Sequence, residues 1–144
     1  MTDETHAHDQ THRHERPLTK NQALVMGVLD AADGPLSAYT ILDALRESGF
    51  RAPLQVYRAL DKLVAFGMVH RLESLNAFVP CRHDDGAAHK SAAFTICESC
   101  GKVTEIADAA LTARLEALSA ESGFSLRRTT VELRGLCEDC RKAA

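Results

Sequence analysis

Apolar residues recur along this chain with two different periods, and the change of period divides it. Up to about residue 66 the spacing is helical. Leu24, Val25, Val28 and Leu29 form one stripe, with Thr19 placed as a cap and Gly34-Pro35 as a stop, which predicts a first helix over 21–30. Ser37 is placed to cap a second helix over 38–48, with Ile41, Leu42 and Leu45 inward and Gly49 at its carboxyl end. Pro53 suits the first turn of a third helix that runs to Phe66 and stops at Gly67, with Val56, Leu60, Leu63 and Val64 on one face. From Met68 the pattern becomes strand-like: residues 68–73 and 76–80 read as two short strands joined by Ser74-Leu75. After a polar loop that begins at Cys81, residues 93–97 and 103–106 read as two further strands. Asp108 to Ser122 reads as an amphipathic helix carrying Leu111, Leu115 and Leu118. Residues 124–136 read as an extended segment in which Val131 and Leu133 alternate with Glu132 and Arg134.

Three helices followed at once by a hairpin predict a winged helix-turn-helix whose third helix is the reader. That helix offers Gln55, Arg58 and Lys62 opposite its apolar face, with Ala59 small between them. Arginine can donate two bonds to a guanine edge, and lysine or glutamine can reach a phosphate or a base. A solvated helix face has the same composition, so the weight rests on the helices and hairpin around it. Arg71 on the hairpin is placed for a phosphate. The expected architecture is α+β: an N-terminal winged-helix DNA-binding domain over 17–80, followed by a small α/β dimerisation domain over 81–144 with a four-cysteine zinc site. Residues 1–16 hold no aliphatic side chain larger than alanine after Met1 and are expected to be a disordered, His-rich tail. His6, His8, His12 and His14 in it read as solvated tail rather than as a fixed metal site.

Composition narrows the class. With 144 residues, 45% hydrophobic and 26% charged, the chain suits one ordinary domain or two small ones that support each other. No apolar run reaches a membrane-spanning length and the amino terminus has no apolar signal core, so the cytoplasm is the expected location. The net charge of −3 is spread so that residues 17–80 balance six Lys/Arg against six Asp/Glu. A DNA-binding surface must therefore be a local cluster, doubled by homodimerisation, and not a basic protein overall.

Five cysteines, an odd number, read as metal ligands before disulfides in such a chain. Cys97-x-x-Cys100 and Cys137-x-x-Cys140 supply the four soft ligands of a closed tetrahedral zinc site. Four thiolates leave no open position, so this zinc is expected to be structural. Two redox-active pairs are the competing reading, and the absence of a thioredoxin-like βαβ context argues against it. A second set, His70, Cys81, His89 and Glu105, offers an N/S/N/O environment in which the thiolate favours zinc over ferrous or manganous ion. His83 competes with His89 on chemistry alone.

These residues resemble the ferric-uptake-regulator (Fur) family of metal-dependent bacterial repressors, and within it the zinc-uptake-regulator branch. The resemblance runs from about Leu18 to Cys140. It is carried by Val56-Tyr57-Arg58-Ala59-Leu60-Asp61, by His70-Arg-Leu-Glu-Ser74, by Cys97-x-x-Cys100-Gly101, and by Gly135-Leu136-Cys137-x-x-Cys140. It implies that Tyr57 meets thymine methyls and Arg58 a purine. It further implies a sensory zinc on His70, Cys81, His89 and Glu105, which favours His89 over His83, and hence two zinc ions per chain. Iron and peroxide sensors of the family carry a His-rich run before the first knuckle, where this chain has Asp84-Asp85-Gly-Ala-Ala-His89. The expected function is a homodimeric, zinc-responsive repressor of zinc-uptake genes with zinc as co-repressor. A family member answering to iron, another divalent metal or peroxide is the alternative. A zinc hydrolase is disfavoured because all four positions around the second site are filled and catalytic zinc keeps one open. A protein-interaction module would leave the Gln55/Arg58/Lys62 stripe without a purpose.

Overall fold

The computed structural model describes residues 17–82 and 91–143. The expected tail, His83 and His89 lie outside the described residues.

Three helices build the front of the molecule. Helix α1 (Lys20–Ala31) starts on a complete capping box in which the Thr19 hydroxyl accepts from the Gln22 amide and the Gln22 side chain accepts from the Thr19 amide. Helix α2 (Ala38–Leu45) is capped by Ser37, as expected. It ends three residues earlier than the sequence pattern suggested: residues Arg46–Ser48 tighten into a 3-10 turn that Gly49 closes with φ 101. Helix α3 (Pro53–Ala65) begins with proline in its first turn, where the missing N–H has no intrahelical partner to lose. Val25, Leu29, Ile41, Val56, Leu60 and Leu63 are completely buried between the three. Removing a completely buried leucine such as Leu60 in favour of alanine is worth about 2–5 kcal/mol in a core of this kind.

The wing follows directly. Strands β1 (Val69–Leu72) and β2 (Ala77–Pro80) pair antiparallel, and Asn76 takes the left-handed conformation (φ 47) that the connecting turn needs. Leu36, between α1 and α2, bridges to Phe78 through both backbone bonds, so the wing is tied to the helices. Cys81 extends the wing by one residue, its N–H donating to the Met68 carbonyl at 2.8 Å.

The rear is a three-stranded sheet of order β4-β3-β5. Strand β3 (Ser91–Cys97) pairs antiparallel with β4 (Val103–Ile106) and parallel with β5 (Thr129–Gly135). Between β4 and β5 runs helix α4 (Ala109–Glu121), capped by the Asp108 carboxylate, which accepts from the amides of Ala110 and Leu111. A short helix α5 (Glu138–Ala143), absent from the sequence reading, follows β5. The extended segment expected over 124–136 is a regular strand only over 129–135. The expected apolar stripe of α4 exists, but none of its residues is buried. Leu111 and Leu118 on α4, with Phe124, Leu133 and Leu136 beyond it, stay exposed.

Front and rear meet along one row of the sheet. Glu105, Phe94 and Glu132 occupy directly paired positions on β4, β3 and β5, so their side chains share one face. Phe94 packs with Leu72 and Val79 of the wing in a second small core, flanked by Val103.

Candidate metal centres and nucleic-acid face

The Cys97 and Cys137 pairs lie at the same end of the rear sheet because the parallel register sets Cys97 opposite Gly135. Gly101, at φ 78, lets the chain turn tightly after Cys100, so that its N–H donates to the Cys97 carbonyl. The amides of Cys100 and Cys137 both donate to the Cys97 sulfur at 3.4 Å. These two donors are the main cause that holds the Cys97 thiol down from 9.0 to about 6, while the neighbouring Cys137 sulfur chiefly pushes the Cys140 thiol up to about 12. The four sulfurs of Cys97, Cys100, Cys137 and Cys140 lie within 4.8 Å of one another, and those of Cys100 and Cys137 are 3.7 Å apart. A tetrahedron with zinc–sulfur bonds near 2.3 Å has edges of about 3.8 Å, which the Cys100–Cys137 pair matches and the whole cluster approaches to within about 1 Å. Four close thiolates repel one another, and a divalent cation would hold all of them deprotonated.

The second cluster forms across the seam. His70 comes from β1, Cys81 from the residue after β2, and Glu105 from β4, and their ligand atoms lie within 4.8 Å of one another. His70 and Cys81 are buried. His70 Nε2 stands 3.6 Å from Glu105 Oε1. That separation is close to the edge of about 3.4 Å expected between imidazole and carboxylate ligands of a tetrahedral zinc. The Phe94 ring meets the His70 ring edge-on at 5.4 Å and fixes its tilt. The second oxygen of Glu105 accepts the Arg82 amide at 3.0 Å, which orients the carboxylate towards the cluster. Three of the four residues expected for the sensory site are thus brought together. The fourth, His89, lies outside the described residues.

On α3, Arg58 and Lys62 are exposed, and with Gln55 they line an open cleft of about 510 Å³ against Thr19, Asn21 and Gln22 at the start of α1. Tyr57 is half-buried against the helical core. Ala59, at 4% exposure, lines the same cleft and leaves room between Arg58 and Lys62, as the sequence suggests. One residue of this face has a second task. Gln55 uses its side-chain oxygen to accept the Arg51 and Ala52 amides, at 2.6 and 3.0 Å, and so secures the start of the helix; its NH2 group is what it can offer outward. Arg71 projects from the wing with its guanidinium 5.9 Å from the Phe78 ring centroid and a bond of 3.2 Å to Asn76 Oδ1. Glu132 is the residue that sequence reasoning passed over. Its alternation within β5 was legible, but not its partners: the Glu73 and Ser74 amides at 3.1 and 3.2 Å and the Ser74 hydroxyl.

A winged helix whose exposed third helix carries arginine and lysine, joined to a sheet by and beside two clusters of metal-ligating side chains, defines a metal-dependent DNA-binding regulator. The profile of the Ferric uptake regulator family matches residues 16–134, and the chain belongs to that family. It is a family of transcription regulators and not of enzymes. The chain is similar to the zinc uptake regulation protein of Escherichia coli (strain K12), with 42% identity over 124 residues covering 85% of this chain and 72% of the relative. Among solved structures, a zinc uptake regulator complexed with zinc and DNA superposes with a TM-score of 0.79 at 36% identity, covering 92% of this chain and 89% of that one. The crystal structure of holo XcZur gives a TM-score of 0.77 at 42% identity, covering 90% and 89%. Among the described residues no helix is long and apolar enough to cross a membrane.

Proposed function

We propose that this chain is a zinc-responsive repressor of zinc-uptake genes that binds operator DNA as a homodimer and takes zinc as its co-repressor. The observation that carries the reading is the convergence of His70, Cys81 and Glu105, which join the wing to the rear sheet. The thiolate of Cys81 favours zinc over iron or manganese, and the similarity to zinc uptake regulation proteins supports the same choice. His89 is the proposed fourth ligand, and Cys97, Cys100, Cys137 and Cys140 the structural site, giving two zinc ions per chain. Residues 17–80 act as the DNA-binding domain and 81–144 as the dimerisation domain, working in the cytoplasm, where bacterial DNA lies.

Each side chain then has a task. His70, Cys81 and Glu105, with His89, would hold zinc at the seam, where it would supply a cross-link that favours one relative orientation of wing and sheet. His70 and Cys81 hold that link from the wing, and Glu105 holds it from β4. Arg58 and Tyr57 read base edges from α3, Lys62 and Gln55 reach phosphate or base, and Arg71 steadies the backbone from the wing. Leu111, Leu118, Phe124, Leu133 and Leu136 are exposed apolar residues of the rear part, and a second copy of the chain would cover them and set two α3 helices on a two-fold symmetric operator.

The test is metal content per chain after brief dialysis, paired with zinc and ferrous titrations against a duplex selected from random sequence by the zinc-loaded protein. Two zinc ions per chain, one removable and required for DNA binding, is the expected result. One irremovable zinc with metal-independent DNA binding would overturn it.

A further inference from the structure

We infer that the Glu132 carboxylate is a latch on the wing that sets the zinc concentration at which the regulator responds. This rests on the zinc-responsive reading above and adds a residue that binds neither zinc nor DNA. Glu132 lies on the same cross-sheet row as Phe94 and Glu105. The row therefore holds the wing at two ends. Glu105 engages the base of the wing, beside His70, Cys81 and Arg82. Glu132 engages the tip, where it accepts from the amides of Glu73 and Ser74 and from the Ser74 hydroxyl. Phe94 lies between them, against His70, Leu72 and Val79.

One point of attachment leaves a rigid body free to swing, and a second point removes that freedom. The wing turn is built to give the second point. Its strands are short, the Leu75 and Asn76 amides are spent on the turn's own carbonyls of Leu72 and Glu73, and the two preceding amides are directed at Glu132. Bonds to a carboxylate are stronger than bonds between neutral groups. The latch therefore favours the orientation in which His70, Cys81 and Glu105 converge.

The consequence follows from population arithmetic. When the competent orientation is a minor species, apparent affinity for a ligand scales with its population. Glu132 raises that population and so lowers the zinc concentration needed. Once zinc saturates the seam the orientation is already fixed, and the latch adds little to DNA affinity. A set-point residue thus shifts the midpoint of the zinc response and leaves its plateau alone. A residue needed only for folding lowers the plateau, the dimer content and the zinc held by the four cysteines together.

The experiment uses the full-length protein, zinc buffered over a graded series, and the selected duplex followed by fluorescence anisotropy. Glu132→Gln keeps the shape, removes the charge and turns an NH2 group towards the wing donors. It is expected to move the zinc midpoint upward about tenfold with an unchanged plateau, and Ser74→Ala about threefold, because the two amide bonds remain. Amide exchange of the peptide spanning 72–76, measured on the zinc-loaded chain, is expected to be faster in Glu132→Gln than in the wild type. An unchanged midpoint in Glu132→Gln, beside a wild type that responds to zinc, would overturn the latch alone. A fall in plateau and dimer content together would overturn it in favour of a folding role. A wild type whose DNA binding ignores zinc would overturn the underlying reading first, before any variant is made.

Discussion

The two cysteine-containing clusters differ in where they sit more than in what they contain. The four sulfurs of Cys97, Cys100, Cys137 and Cys140 belong to one end of one sheet, so a metal there stitches together strands that already pair. His70, Cys81 and Glu105 straddle the seam between wing and sheet, so a metal there joins two parts that otherwise meet through the small core of Leu72, Val79 and Phe94 and the bonds around it. On the proposed assignment the same ion would be a staple in the first place and a signal in the second. Its role would follow from whether its ligands can be separated while the strands of the sheet stay paired.

The most severe way to break this contrast is Cys97→Ser. Cys97 is buried and accepts two backbone N–H donors, so its loss takes away a ligand and the anchor of both knuckles. Structural zinc supplies about 10–16 kcal/mol in small zinc folds, and the expected outcome is a monomeric, partly unfolded chain by sedimentation and circular dichroism. A stable Cys97→Ser dimer would remove the distinction between the sites. Next in size is Cys81→Ser, which should keep fold, dimer and one zinc but lose the zinc dependence of DNA binding, a factor of about 5–150 for a typical coupling between sites. Normal zinc-dependent binding in that variant would take Cys81 out of the sensor. Arg58→Ala sharpens the contrast from the other side. It should cost about 1–3 kcal/mol in DNA affinity while leaving both zinc equivalents in place, as read by metal analysis and anisotropy. The smallest effect is expected from deleting residues 1–16: zinc content and DNA affinity should stay within about twofold, whereas loss of a zinc equivalent would assign metal to the tail histidines.

Much of this was legible in the sequence because the signals are local. Thr19 and Ser37 as caps, Pro53 in the first turn of α3 and the two Cys-x-x-Cys pairs each declare themselves within four residues. What escaped depends on distance along the chain or on a neighbour's geometry. Gln55 was expected to reach a phosphate or a base; that its oxygen also secures the start of α3 carries no clear signature, because position 52 is alanine and the Ser/Thr half of a capping box is missing. Helix α5 is six residues long, too short for a period to register. The convergence of Glu105 with His70 and Cys81 was anticipated from chemistry and family resemblance, whereas the bonds from Glu132 to the wing, 58 and 59 positions away, have no sequence signature at all.

The parallel partnership of β3 and β5 also governs how the chain comes to be folded. Cys100 and Cys137 are 37 residues apart in sequence, so pairing β3 with β5 closes a long loop before its contacts reward it, and it is expected to be a slow step of folding. A metal on the four cysteines would lock this register, since the four sulfurs come within 4.8 Å of one another where the strands pair. On the two-zinc reading proposed above, a newly made chain would fill this site before it could sense anything, and the four cysteines would take zinc ahead of the seam. The floor of the sensor's working range would then be set by the folding of its own sheet.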